Sequence, residues 1–166
     1  MGLGRILALD VGDRRIGLAL SDALGITAQP LFTVHRSTLR ADLKSIARFI
    51  RKYEVKAIVI GNPLHADGSP GPQSAKTLDF AKALFAEHPD AAHHVLDERL
   101  TTREAHSLLD NRNFRQTAKD RLARKDLIDQ VAATLLLEAF LTQQNGPTLL
   151  PDPDQQRDVA DNPDHL

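Results

Sequence analysis

The sequence predicts an α/β fold in which a mixed β-sheet has helices packed on it. Short apolar runs alternate with segments of helical periodicity over much of the chain, a pattern typical of parallel strands joined by crossover helices. The first two apolar runs are instead separated by a short polar turn, which predicts an antiparallel hairpin. The length of 166 residues suits one compact domain.

The first three predicted strands follow closely on one another. Residues 5–10 form a short apolar run that ends at a polar turn, as a buried strand does. Residues 11–15 supply the turn, and residues 16–20 return as the second strand of the hairpin. A third strand is predicted to end near residues 31–34.

Helical spacing begins after the third strand, and either Ser37 or Thr38 can cap the first helix. Residues 56–60 form another buried strand, and residues 64–72 form a loop rich in glycine and proline. The apolar positions that mark the first and second helices are Leu39, Leu43, Ile46, Ala47 and Ile50, then Ala75, Leu78, Phe80, Ala81 and Leu84.

The last third of the chain contains a short strand at residues 94–96, which is followed directly by the charged residues Asp97, Glu98 and Arg99. Thr101 or Thr102 can cap a helix that follows, and a final helix is expected from Asp126 to about Gln143. We expect the domain to cover residues 1–144 and residues 145–166 to form an acidic, proline-rich disordered tail. The apolar positions assigned to these two helices are Ala105, Leu108 and Leu109, then Ile128, Val131, Ala132, Leu135 and Ala139.

Composition excludes several classes of function. The chain has no cysteine, so it can form neither a disulfide framework nor a zinc–thiolate site. No apolar run approaches the roughly 20 residues that cross a bilayer, and the first residues lack the pattern of a secretion signal. The seven histidines show no metal-binding spacing and are interpreted as surface residues. A cytoplasmic protein is expected.

The net charge of −1 hides an uneven distribution. Five aspartates lie in residues 147–166, and the rest of the chain carries a net charge of +3. A basic stripe between residues 99 and 125 has eight basic residues against three acidic ones. Such a stripe can attract the phosphates of a nucleic acid, although it could also be an ordinary solvated helix face. Its members are Arg99, Arg103, Arg112, Arg115, Lys119, Arg121, Arg124 and Lys125.

Three carboxylates are candidates for catalysis. Asp10 ends the first strand, where a carboxylate can hold a hard cation or simply cap the turn. Glu98 lies at the end of a later strand, and its neighbour Asp97 should point the opposite way. Asp129 lies at the edge of the buried face of the last helix, where an unpaired carboxylate is unfavourable. Asp126 looks better solvated and can favour a helix N-terminus.

These three acids together have a chemical rationale. Cleavage of a phosphodiester bond needs an activated water and a neutralised leaving oxygen, and divalent ions held by carboxylates supply both. An oxygen-only ligand set fits Mg²⁺ or Mn²⁺. The basic stripe lies between two of the acids in the sequence and is therefore interpreted as a grip on the nucleic-acid backbone.

Four motifs occur in order along the chain: residues 7–19, residues 60–64 with Asp67 and Gly68, residues 97–102 and residues 129–133. Together they make the chain similar to the YqgF, or RuvX, family, bacterial relatives of the Holliday-junction resolvases. The resemblance covers about residues 5–142. It implies a ribonuclease-H-like fold, with a mixed five-stranded sheet and helices on both faces, and a nuclease that matures the 5′ end of small-subunit (16S) ribosomal RNA precursor. The resemblance places the acidic triad on Asp10, Glu98 and Asp129.

The sequence departs from the true resolvases at one position. Those enzymes have an acid at the end of the fourth strand, where this chain has Asn62. Glu98 on the next strand would have to replace that acid. Asn62 can still ligate a metal or position a phosphate.

Several functions are compatible with this pattern. The leading hypothesis is a metal-dependent nuclease that acts on structured RNA as a monomer or homodimer. Cleavage of branched DNA is the second hypothesis, and it would require a dimer. A non-catalytic RNA-binding module for ribosome assembly would keep the basic stripe but would not need Asp129. The Asp10-Val11-Gly12 turn also resembles the phosphate loop of sugar-kinase-like ATPases, which usually need two such domains.

Overall fold

A computed structural model describes residues 4–100 and 118–145. The helix predicted around residues 105–109 and the acidic tail beyond residue 145 lie outside the described residues. So do three members of the basic stripe, Arg103, Arg112 and Arg115.

Five strands and three α-helices form the described part of the fold. Thr38 caps the first helix, and its hydroxyl accepts a hydrogen bond from the Ala41 amide at 3.1 Å. A short 3-10 helix, Glu98–Leu100, follows the last strand. The elements are β1 (Arg5–Val11), β2 (Arg15–Ser21), β3 (Ala28–His35), α1 (Leu39–Lys52), β4 (Val55–Asn62), α2 (Pro72–Glu87), β5 (Ala92–Asp97) and α3 (Ala118–Asn145).

The strands form one mixed sheet in the order β3-β2-β1-β4-β5. The β1–β2 and β2–β3 pairs are antiparallel, which confirms the predicted opening hairpin. The β1–β4 and β4–β5 pairs are parallel, as expected for strands joined by helical crossovers. The carboxyl ends of β1, β4 and β5 therefore meet at one edge of the sheet.

Helices cover both faces of the sheet. Odd-numbered residues of β1, such as Leu7 and Leu9, pack in a core cluster with residues of α1 and α2. Even-numbered residues, such as Ile6 and Ala8, pack in a second cluster with α3. This alternation follows from the two-residue period of a strand. The predicted mixed five-stranded sheet with helices on both faces is confirmed.

The last helix is longer than the sequence predicted. It begins at Ala118 and not at Asp126, because residues 118–125 are mostly strong helix formers but too polar to show an apolar period. The predicted helix start at Asp126 was therefore wrong, although the Asp126 side chain is more exposed than that of Asp129, as predicted (30% against 20%). Asp126 lies two turns inside α3 and is half-buried, and it pairs with His35 at 3.0 Å.

No helix within residues 4–100 and 118–145 is long and apolar enough to cross a membrane.

Candidate active site

Asp10 lies near the carboxyl end of β1 and is half-buried. It continues the even-numbered series that begins with Ile6 and Ala8, so its side chain is on the face of the sheet that α3 covers. In the antiparallel pairing with β2, Asp10 lies directly opposite Gly17. The hairpin thus brings a residue without a side chain next to the candidate catalytic acid.

Gly17 allows α3 to approach the sheet closely. A Cβ atom built on Gly17 would overlap the backbone carbonyl of Asp129 and would lie 3.0 Å from its Cβ atom. The helix backbone at Asp129 therefore lies directly over Gly17, beside Asp10. One glycine in the first motif sets the distance between two of the three predicted acids.

Glu98 occupies the first position of the 3-10 helix, directly after β5. Its side chain is buried, with 8% of its surface exposed. A Cβ atom on Gly61 of β4 would lie 3.1 Å from the Glu98 carboxyl carbon and 3.1 Å from Leu136 Cδ2 of α3. Gly61 therefore leaves the space that the Glu98 carboxyl group fills beneath α3.

The Glu98 and Asp10 carboxyl groups contact one another. Burial raises the pKa of Glu98 to about 9, and both a hydrogen bond with Asp10 and the charge of Asp10 add to the increase. Two carboxylates this close cannot both stay ionised without a cation. Without a cation, burial and the neighbouring Asp10 charge favour the protonated form of Glu98.

Asp129 is held by an arginine from the hairpin. Arg15 Nε donates a hydrogen bond to Asp129 Oδ2 at 2.6 Å, and the Asp129 side chain keeps 20% exposure. Burial raises the pKa of Asp129, and the charge of Asp10 adds to this, while Arg15 opposes the increase. Asp129 lies over Gly17, which is opposite Asp10, so the third acid is close enough to Asp10 for its charge to affect the Asp129 pKa.

The donor set fits a hard divalent cation. Within the described ranges no three metal-ligating side chains are close enough together to hold an ion as they stand. Asp10 and Glu98 form a contacting pair, and Asp129 lies nearby but is engaged by Arg15. The two carboxyl groups offer several oxygen ligands, and they repel one another when both are ionised. A bound Mg²⁺ or Mn²⁺ would use these oxygens as ligands and would neutralise the repulsion. Asp10, Glu98 and Asp129 are the residues that would hold such an ion.

Asn62 ends β4 at the same edge of the sheet, where it pairs in register with Asp97. Its Oδ1 atom accepts a hydrogen bond from the hydroxyl of Ser74 at 2.6 Å. Ser74 is fully buried in the first turn of α2. Asn62 thus fixes α2 to the sheet edge through its carbonyl oxygen, and an acid at this position could not offer the same neutral acceptor.

Asp97 and Glu98 point in different directions, as the alternation of a strand predicts. Asp97 forms an ion pair with Arg99, whose Nε atom lies 2.8 Å from Asp97 Oδ2. Arg99 also donates a hydrogen bond to the Ala66 carbonyl at 3.4 Å. The first residue of the basic stripe therefore also links the end of β5 to the loop before α2.

The other described members of the basic stripe lie on the first turns of α3. Lys119, Arg121 and Lys125 are exposed, and Arg124 is half-buried. They precede Asp129 on the same helix, so they flank the site on its α3 side. Their role in binding nucleic acid stays a prediction.

Sequence reasoning missed the residues that position the acids. Gly17 and Gly61 create the space for Asp129 and Glu98, and Arg15 pairs with Asp129. All three lie within the recognised motifs or beside them, but only the three-dimensional pairing shows what each one contacts. A glycine inside a strand is the available sequence signal, since it often marks a close approach of another backbone.

A family-level match covers most of the chain. The family described as "RuvX: Holliday junction resolvase" matches residues 4–143. A protein of Halothermothrix orenii is 45% identical over 141 residues, covering 85% of this chain and 96% of its own. A protein of Moorella thermoacetica is 44% identical over 144 residues, covering 86% and 99%. Both relatives carry the name "Putative pre-16S rRNA nuclease".

Solved structures give more distant matches. Thermus thermophilus RuvC in complex with a Holliday junction substrate matches with a TM-score of 0.49 and 14% identity, covering 86% of this chain and 96% of that one. The fowlpox virus Holliday junction resolvase matches with a TM-score of 0.47 and 15% identity, covering 84% and 98%. The family match and the identity to the two relatives carry the assignment. With its mixed five-stranded sheet and helices on both faces, the chain belongs to the RuvX family of Holliday-junction-resolvase-like nucleases.

Proposed function

We propose that this protein is a metal-dependent nuclease that hydrolyses phosphodiester bonds in the 5′-end maturation of pre-16S rRNA. The observation that carries the proposal is the contact between the buried Glu98 carboxyl group and Asp10, beside Asp129, at the edge where the parallel strands end. Family membership supports the reaction class, and the names of the relatives support the substrate.

The three acids have distinct tasks in this proposal. Asp10 and Glu98 would hold the cation from the sheet edge, and Asp129 would complete the ligand set from α3. Bound Mg²⁺ or Mn²⁺ supplies charge neutralisation at the scissile phosphate and lowers the pKa of water. Glu98 must lose its proton to act as a ligand, because the carboxylate form binds metal.

Arg15 controls the third acid. It neutralises Asp129 before substrate binds and keeps this carboxylate in place beside Asp10. If Asp129 were engaged by a cation, the Arg15 guanidinium would be available to a substrate phosphate, which it could contact through two donors. The exposed cations Lys119, Arg121 and Lys125 hold the substrate backbone on the α3 side.

The direct test is cleavage of a labelled 16S rRNA precursor by the purified protein with Mg²⁺ or Mn²⁺. Asp10→Asn removes a ligand charge at nearly constant size and should abolish cleavage. Asp13→Asn is the matched control, because Asp13 is an exposed acid in the adjacent turn whose one ion pair among the described residues is with Lys76 at 3.4 Å. Equal activity of wild type and Asp10→Asn would contradict the proposed site. Tight RNA binding without cleavage by the wild type would support a non-catalytic assembly factor.

Resolution of branched DNA is the second candidate, because the family description names a Holliday junction resolvase. The same acids and cation would serve either substrate. Side-by-side assays on the rRNA precursor and on a four-way DNA junction separate the two functions. Faster cleavage of the junction, with symmetric cuts made by a dimer, would replace the RNA proposal.

A further inference from the structure

The first helix, α1, has a row of cations along its exposed face. Arg40, Lys44, Arg48 and Lys52 follow one another at intervals of four residues, and Arg51 lies beside the last of them. Residues four apart lie on the same side of a helix, one turn above the other. All five side chains are exposed, and they occupy most of the solvent-facing positions of α1. We call these five residues the α1 row.

The α1 row has no anionic partner among the residues that the structure describes. Asp42, the one acid of α1, is buried, and it accepts hydrogen bonds from Arg36 Nε and from the Ser37 amide, both at 3.0 Å. Like charges at a spacing of four residues destabilise a helix. The row therefore lowers the stability of α1, and no ion pair within the described part of the molecule compensates for it.

The row begins at the edge of the sheet that carries the candidate active site. Arg36, which precedes α1, donates hydrogen bonds to the carbonyls of Gly12 and Arg14, both at 2.9 Å. These contacts join the start of α1 to the hairpin turn that follows Asp10. Arg14 is itself exposed in that turn, so it extends the cations from the site toward Arg40.

From that edge the row runs along the face of the molecule opposite α3. The helix rises about 1.5 Å per residue, so the row from Arg40 to Lys52 is about 18 Å long. This length spans several phosphates of a nucleic-acid strand, which carries one charge per ~3.4 Å of helix axis. The basic stripe on α3 lies across the sheet, so the two surfaces can contact separate segments of one large substrate.

We propose that the α1 row is a second binding surface for the phosphate backbone of the structured RNA substrate, away from the scissile bond. The inference rests on the proposed function for the identity of the partner. The partner's charge follows from the row itself, which is positive and unpaired within the described structure. An anionic membrane fits less well, because the apolar residues Leu43, Ile46 and Ile50 of α1 are buried against the sheet and cannot insert into lipid.

The experiment measures RNA affinity as a function of salt for the full-length chain. A fluorescent 16S rRNA precursor fragment is titrated in a metal chelator at several KCl concentrations, so that no cleavage is needed. The test variant is Lys44→Gln with Arg48→Gln, since glutamine keeps the helix propensity. The matched control is Lys56→Gln with Lys82→Gln, which removes two exposed cations outside α1 that have no ion pair among the described residues.

The test variant should bind RNA roughly tenfold more weakly near 0.1 M salt, and its slope of log affinity against log salt should shrink by about 1.5. The control should keep the affinity and slope of the wild type. For a DNA duplex of the same sequence, the test variant should show the same decrease in the slope of log affinity against log salt, because the contacts are to phosphate.

Three results would overturn the proposal. An unchanged slope in the test variant would show that α1 does not contact the backbone. Equal losses in both variants would assign the effect to net charge. Loss of binding to anionic phospholipid vesicles, with RNA affinity unchanged, would assign the row to a membrane surface. If the protein cleaves no RNA but shows the expected slopes, the proposed nuclease function would be contradicted and RNA binding by the α1 row would be supported.

Discussion

Gly17→Ala should inactivate the protein by moving Asp129 out of position, although Asp129 itself is unchanged. The added Cβ atom would overlap the backbone carbonyl of Asp129 and lie 3.0 Å from its Cβ atom. Carbon atoms pack at about 3.5–4.0 Å, and the overlap with the Asp129 carbonyl is tighter than the contact with its Cβ atom. The strand and helix would therefore have to separate by more than roughly 1 Å. Neither backbone can rotate away as a flexible side chain would. The strain should lower the free energy of unfolding by about 1–3 kcal/mol.

The effect on catalysis should exceed the effect on folding. A displacement of about 1 Å at a catalytic group can reduce the rate about 100-fold. We expect a loss of that size in single-turnover cleavage of the rRNA precursor, measured well below the melting temperature. The matched control is Leu137→Ala, which removes a fully buried side chain from the same helix two turns beyond Asp129.

Leu137→Ala should destabilise the protein by about 2–5 kcal/mol and leave the rate within a few-fold of wild type. It opens a cavity, whereas the glycine substitution moves the helix backbone at the site. Two results would refute the reasoning: a Gly17→Ala protein with the wild-type rate, or an equal loss of rate in Leu137→Ala.

Three further predictions concern charge. Because folding raises the pKa of Glu98 from 4.5 to about 9, the folded state holds the extra proton between these values. The metal-free wild type should therefore lose stability, on the order of a few kcal/mol, as pH rises through that window, and Glu98→Gln should remove the loss in denaturant titrations. Arg15→Gln removes the cation that lowers the pKa of Asp129 and should shift the acid limb of the pH–rate profile to higher pH, whereas Arg15→Lys should shift it less. Lys44→Gln with Arg48→Gln removes three like-charged pairs from α1 and should raise the free energy of unfolding by about 0.6–1.5 kcal/mol, and an unchanged melting temperature would contradict this.

The sequence was sufficient to predict the order of strands and helices in the described part of the chain. The hairpin has a short polar turn, and α1 has a clear apolar period with a threonine cap, so local physics determines both. The apolar runs of β1 and β5 also predicted that Asp10 and Glu98 lie at the carboxyl ends of these strands, and they do.

The packed face of α3 shows where sequence reasoning failed. Of the predicted stripe, only Ala132 is buried, whereas Ile128, Val131, Leu135 and Ala139 are half-buried. The other buried residues described on this helix are Ala133, Leu136, Leu137, Phe140 and Leu141. This helix is apolar around much of its circumference, so periodicity cannot select one face. The face that packs on the sheet is determined by Gly17, because there the helix backbone at Asp129 can approach the strand closely. That contact joins residues 112 positions apart, and local sequence patterns do not encode it.

The charge state of the site also could not be predicted from the chain. The proton on Glu98 depends on the burial of its carboxyl group and on its contact with Asp10. The engagement of Asp129 depends on Arg15 from a different element. Both are consequences of tertiary packing, which the motifs that proposed the three acids do not encode.

The most direct test of the account is the affinity of the purified protein for Mn²⁺, measured by electron paramagnetic resonance of the free ion. Wild type and Asp13→Asn should bind Mn²⁺ with the same affinity, and Asp10→Asn should bind at least roughly tenfold more weakly. Affinity should rise with pH as Glu98 loses its proton. Equal Mn²⁺ affinity of wild type and Asp10→Asn would contradict the claim that Asp10, Glu98 and Asp129 form the metal site of a nuclease.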